Sequence, residues 1–430
     1  MGLGHLRAGD SLARAIGVPL LHVDRAPLSG EDERRRWAKS RRFYEAVSRI
    51  SQLPFIGAPP RTLLSAITHI PHLHPRRDLS RPSLTLRYLE RQIVRGLGGG
   101  LVAEMERTGA PLLTTFFAPA LVADRRGAGD VHCLVTDSDI ARVWVPSNPA
   151  RSRIRYFAPT ERARQRLLAY GVAPERITLT GFPLPDELLG GRALPTLRRN
   201  LAARLERLDP RGVFHEQHRR ELTEWLGLQP EAARQARQAP LLTFAVGGAG
   251  AQAGLAPRFL PSLRPEIEAG RLRLALLAGV RADVASSFRA LVARLGLHDH
   301  PGVRVVGDED LDGYFRACNA LLAETDILWT KPSEMTFYGA LGLPLLLAPP
   351  VGAQERYNRR WAVENGAGLE QRDPRFTGEW IAEWLADGTL AAAAWAGFRR
   401  LPKLGLYHIL DQLQVSVVQS TINDESVQLS

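Results

Sequence analysis

The chain has 430 residues, 45% hydrophobic and 23% charged, which excludes a wholly disordered polymer and suits two domains of ordinary size. Its net charge of +11 fits a partner that is nucleic acid, an anionic membrane surface or a phosphorylated ligand. No run of about eighteen apolar residues marks a membrane span, and no charged, apolar leader precedes the first motif, so a soluble or peripheral cytoplasmic protein is expected. Cys133 and Cys318 lie in apolar segments without metal-ligand spacing and read as buried small hydrophobes of a reducing compartment. Nearly all cations are arginine, and lysine occurs only at Lys39, Lys331 and Lys403.

The first residues, MGLGHLRAGDSLARAIG, read as a glycine loop running into an amphipathic helix with Leu6, Leu12, Ala13 and Ile16 on its apolar side. Amides freed by Gly2 and Gly4 at a helix start can face an anion or a sugar hydroxyl, with His5 at the mouth. Such a loop is expected to follow a buried strand of about five residues. None precedes it here, so either the given start is late or the unit lacks its central strand. PLLHVD, from Pro19 to Asp24, reads as a strand.

Residues 31–42 are dense in charge, and a proline-rich insert follows to about residue 100. Arg34, Arg35, Arg36, Arg41 and Arg42 interleave with Trp37, Phe43, Tyr44, Leu53 and Phe55, a mixture that fits an anionic bilayer or a lipid acceptor, or simply a solvated helix face. No nucleic-acid motif accompanies it, and no nucleic-acid partner is expected. LVAEMERTG reads as a helix, APLLTTFFAPALVAD as a strand with its following loop, and Cys133 to Thr136 as a buried strand that delivers Asp137 to its carboxyl end. In IRYFAPTERARQRLLAYG, Thr160 caps a helix whose positive end Glu161 favours.

Residues 190–239 read as a charged helical stretch, with His215 and His218 on its surface. An apolar strand, Leu241 to Val246, then turns through Gly247, Gly248 and Gly250 into a helix, where small residues let the backbone approach a pyrophosphate. From Asp326 to Gly368 the chain reads turn (TKPS), helix (EMTFYGALG), buried strand (LPLLLAPP) and a polar cluster opening another helix. In a parallel sheet that loop leaves the strand at the edge where ligands bind.

The ordered landmarks Thr330-Lys331, Gly342-Leu343-Pro344, Gln354 to Asn358 and Glu364 to Gly368 resemble the donor half of the GT-B glycosyltransferases. The likeness is to the branch of the lipid-II-forming N-acetylglucosaminyltransferase and the monogalactosyldiacylglycerol synthases. The PERITLTGFPL phrase, with Thr180, Gly181 and Pro183, resembles the end of that family's first domain.

The resemblance implies an α/β fold of two Rossmann-like domains facing across a cleft. The acceptor domain would be residues 1–188, the charged linker 189–239, the donor domain 240–395 and a crossover helix with a polar tail 396–430. It implies inverting transfer from a nucleotide sugar, UDP-sugar favoured, to a hydroxyl acceptor such as a lipid or cell-envelope precursor, on the inner face of the membrane, with neither cofactor nor metal.

His5 would be the base, assisted by Asp137, with Gly2, Gly4 and Asp139 on the acceptor side. An aspartate after a strand is also commonly a helix cap. Gly247, Gly248, Gly250, Gly307, Lys331, Ser333, Glu334, Gln354, Glu355 and Asn358 would hold the donor. Many relatives carry a ribose-binding glutamate where this chain has Phe337. Either Glu334, one helical turn earlier, takes that role or ribose is held otherwise. A nucleotide-sugar 2-epimerase and a non-catalytic GT-B-like binding protein are the alternatives.

Overall fold

The computed structural model describes residues 2–50 (the backbone alone at 41 and 43–50), 70–227, 238–247, 250, 252–350 and 352–414. Gly248, Leu53, Phe55, the side chains of Arg41, Phe43 and Tyr44, and the polar tail from Val415 lie outside them.

Among the described residues, ten strands form two wholly parallel sheets. The first runs β1 (Leu112–Thr114), β2 (Val131–Leu134), β3 (Arg155–Ala158) and β4 (Ile177–Leu179) in spatial order β1-β2-β3-β4. The second holds β5 (Leu241–Ala245), β6 (Arg273–Leu277), β7 (Val303–Val306), β8 (Ile327–Thr330), β9 (Leu345–Leu347) and β10 (Gly368–Glu370) in order β10-β9-β8-β5-β6-β7. The expected α/β architecture of two parallel sheets is the observed one. Chain order reverses at β5, which pairs with both β6 and β8, and such a switch point opens a crevice at the carboxyl ends of the strands.

Strand sequences such as LLTFA and ILWT are buried at every position because helices cover both faces of a parallel sheet. In the first sheet, Val131 and Cys133 of β2 face one apolar cluster while Leu134 faces the other, as period-2 alternation demands. That second cluster is continuous with the core of the second sheet, and helix Leu3–Ile16 supplies Ala8, Leu12 and Ala15 to it.

Three local expectations are corrected. Pro19 to Asp24 is not a strand: Leu20 packs onto Gly9, Leu21 is half exposed, and the segment pairs with no described strand. Phe117–Arg126 is a helix rather than a loop, closed by Gly127 in the left-handed region, whose N–H donates to the carbonyls of Ala123 and Asp124. Glu334–Leu341 winds as a 3₁₀ segment and stops at Gly342, also left-handed.

Helix Pro195–Leu208 turns charge inward. Buried Arg204 donates to the carbonyl oxygens of Thr325 and Leu341, each at 2.8 Å, and Arg207 pairs with Asp326 at 2.7 Å. The charged stretch after residue 190 is therefore packed against the loops that enter and leave the second sheet. Helix Gly405–Leu413 returns to residues 180–192: Gly405 abuts the Phe182 carbonyl, His408 Nδ1 lies 3.0 Å from the Thr180 carbonyl, and Arg192 pairs with Asp411. Among the described residues, no helix is long and apolar enough to cross a membrane.

Candidate active site

All strands of each sheet run parallel, so the loops leaving them collect on one edge. Thr115 follows β1 and Asp137 follows β2; Gly247, Gly307 and Lys331 follow β5, β7 and β8. The two edges meet at Asn358, a fully buried residue of helix Ala353–Glu364. Its Nδ2 donates to Asp137 Oδ1 at 2.9 Å, and its Oδ1 accepts from the Ser138 amide at 2.8 Å.

His5 enters from helix Leu3–Ile16. Its Nδ1 lies 2.7 Å from the Thr115 carbonyl oxygen and 2.9 Å from Thr136 Oγ1. A carbonyl can only accept, so Nδ1 carries the proton and Nε2 is left with the lone pair. Thr115 Oγ1 also donates to the His5 carbonyl at 2.8 Å, and the rings of Phe116 and Trp144 wall the imidazole at 4.9 and 6.1 Å. Burial lowers the His5 pKa from 6.5 to about 4, against the opposing pull of the Thr115 carbonyl, so the ring is neutral at pH 7.

Among the described residues no hydrogen bond joins His5 directly to Asp137. Thr115 and Thr136 orient the ring instead. Asp137 lies next in sequence to Thr136, and burial raises its pKa from 3.8 to about 6, with Asn358 and Lys331 opposing and Glu334 and Glu355 adding.

Lys331 stands over the glycine turn: a Cβ on Gly247 would lie 2.5 Å from its Cε, so a larger residue there would displace the end of the lysine side chain. Its Nζ donates to Glu355 Oε1 at 2.9 Å. Burial works against the ammonium, but Glu355, Glu334 and Asp137 outweigh it and hold its pKa above the ordinary value. Glu334, one residue beyond Ser333 in the turn, presses on Gly4, where a Cβ would fall 2.5 Å from its Oε2. It faces Arg7 Nε at 3.6 Å.

The structure thus brings Gly4, His5, Asp137, Gly247, Lys331, Ser333, Glu334, Glu355 and Asn358 together. Gly307 and Gly250 line the same edge further along, beside Gly279 and Arg281 respectively, while Gly2 is the exposed N-cap of the first helix. Gln354 is half-buried near Gly352.

Asp139 departs from its acceptor-side expectation. It is fully buried, and its carboxylate is held by Arg166 at 2.7 and 2.9 Å and by Arg162 at 2.7 Å, leaving no face for a ligand. Phe337, at the glutamate position of the relatives, stacks on Phe182 at 4.7 Å and 7° inside the core. Glu334 turns towards helix Leu3–Ile16. Sequence reasoning missed Thr115, Thr136 and Arg7. Arg7 left one signal, a cation within a helix otherwise rich in small and apolar residues.

No protein-family model matches the chain, and no curated protein is similar to it in sequence. Solved structures of similar outline include MurG from Acinetobacter baumannii (12% identity, 77% of this chain and 79% of that one, TM-score 0.45). Others are UDP-GlcNAc 2-epimerase from Neisseria meningitidis bound to UDP-GlcNAc (15%, 78% and 84%, TM-score 0.44) and MnaA from S. aureus with UDP (12%, 76% and 79%, TM-score 0.45). At TM-scores below 0.5 these likenesses describe outline and carry no weight for activity.

Proposed function

We propose that this protein is a GT-B glycosyltransferase that moves a sugar, with inversion, from a nucleotide-diphosphate sugar to a hydroxyl acceptor. UDP-sugar is the favoured donor. The reading rests on one observation: a neutral His5 with its proton fixed on Nδ1 shares a site with Lys331 over the Gly247 turn.

In the proposed step the acceptor oxygen attacks the anomeric carbon and its proton passes to His5 Nε2. The bond from that carbon to the diphosphate breaks, and its electron pair leaves with the phosphate oxygen. The Lys331 ammonium and the amides of the glycine turn stabilise that charge. No cofactor takes part. Residues 1–188 would then serve the acceptor and 240–395 the donor, with 189–239 as the charged linker and 396–430 as the crossover helix and polar tail. A lipid or cell-envelope acceptor at the inner membrane face belongs to the same proposal, supported by Arg34, Arg35 and Arg36 of helix Glu31–Ile50.

A second reading, a nucleotide-sugar 2-epimerase, draws support from the gathering of Asp137, Glu334 and Glu355 around Lys331. The two are separated by titrating UDP, GDP, dTDP and ADP in a thermal-shift assay, then incubating the preferred diphosphate's sugars in D2O with hydroxyl acceptors. Transfer requires diphosphate release that depends on acceptor and is lost in His5→Ala. Deuterium at C2 without transfer selects the epimerase. A selective shift with neither reaction leaves a binding protein, and no shift with any nucleotide overturns the donor site.

A further inference from the structure

Arg7 belongs to the helix that carries His5, yet every polar arm of its guanidinium points to residues around the second sheet. Nη1 donates to Cys318 Sγ at 2.8 Å and Nη2 to the Tyr314 hydroxyl at 3.0 Å, both on helix Leu311–Glu324. Nε faces Glu334 Oε1 at 3.6 Å and makes no hydrogen bond, so that carboxylate is held by charge and not by a fixed bond. The guanidinium carbon sits 5.6 Å from the ring centroids of Tyr314 and Phe315 and 5.8 Å from that of Tyr338, within range of cation–π attraction. Arg7 is only 4% exposed, and a desolvated arginine with this many partners fixes its helix closely.

Two residues earlier on that helix is His5, and one helical turn from Arg7 is Gly4, pressed on Glu334. Glu334 in turn lies three residues beyond Lys331. We propose that Arg7 is a positioning residue: it ties the His5-bearing helix to the segment that carries Lys331 and Glu334, and so sets the distance between base and donor. The inference rests on the reading of His5 as the base and adds a residue that touches neither substrate.

The test compares Arg7→Met, which keeps the stem and loses the fork, with Arg7→Lys, which keeps the charge. Tyr314→Phe combined with Cys318→Ala removes two acceptors while leaving Arg7, should Arg7→Met fail to fold. Arg7→Met is expected to lower kcat about 100-fold, the scale of an ångström-sized misplacement, with the donor KM held within about threefold. Amide exchange of residues 3–16 should rise about tenfold or more while that of β5, β6 and β8 stays unchanged.

Arg7→Lys should recover part of both effects, and the double variant should move both in the same direction as Arg7→Met. Unchanged exchange of residues 3–16 in Arg7→Met and in the double variant overturns the inference. So does a kcat loss that merely follows the folded fraction. If the wild-type protein transfers nothing, the His5 reading fails on the kinetics, and the exchange measurement still decides whether Arg7 ties the helix.

Discussion

Asn358 spans the two halves of the molecule to satisfy Asp137 and the Ser138 amide at once, with 2.9 and 2.8 Å bonds from a side chain that is fully buried. Asn358→Leu leaves that amide and that carboxylate without partners, at a cost of about 3 kcal/mol in urea denaturation. Asn358→Asp puts a second carboxylate beside Asp137, so its loss should be greater at pH 8 than at pH 5. Equal losses at the two pH values would contradict the contact.

His5 and Asp137 make opposite contributions to stability versus pH. The raised Asp137 pKa, 3.8 to about 6, contributes stability that is full below about 4 and lost as pH rises through 6. The lowered His5 pKa, 6.5 to about 4, contributes stability that is full above about 6.5 and lost as pH falls towards 4. Each is on the order of 3 kcal/mol, so the wild-type profile should be nearly flat across the window between them. Asp137→Asn should make stability climb from pH 4 to 6.5, and His5→Gln should make it fall. Parallel profiles for the two variants would refute the burial of either group.

Lys331 pairs with Glu355 while standing over Gly247. Lys331→Met should weaken binding of the preferred nucleoside diphosphate about 10- to 100-fold by calorimetry, the scale of a lost charge-assisted hydrogen bond. Adding Glu355→Gln should restore stability lost with the pair but not the affinity. A double variant that binds as tightly as wild type would remove Lys331 from the donor site.

Asp139 is two residues from Asp137 and should behave in the opposite manner. Asp139→Asn leaves the buried Arg166 cation uncompensated, a loss of about 3–5 kcal/mol in stability. Activity per folded molecule should be unchanged. A fall in kcat at full folding would return Asp139 to the acceptor side.

Much of this arrangement was legible in the sequence because the signals were local. Continuous apolar runs such as LLTFA and ILWT read as buried parallel strands, and glycines after strand ends read as turns. Lys331, Glu355 and Asn358 were accessible because they follow strand ends that share one edge. What escaped was decided by distant partners.

Pro19 to Asp24 has the composition of a strand but no described neighbour to pair with. Asp137 and Asp139 look alike in TDSD, and only Arg166, 27 residues beyond Asp139, separates their roles. Phe337 cannot be told from a ribose-site position without its stack on Phe182, far earlier in the chain. Arg7 resembles a surface cation on an amphipathic helix, and its burial follows from a helix wedged between two sheets.

That wedge limits how the molecule could be divided. Ala8, Leu12 and Ala15 share one apolar cluster with Leu134 and Phe157 of the first sheet and with Phe244 and Leu276 of the second. The halves are therefore not exchangeable modules. A chimera that borrows either sheet from another protein inherits a bare apolar face unless helix Leu3–Ile16 travels with a matched seat on both sides. Separate expression of the halves should give sticky fragments that recover solubility only when mixed.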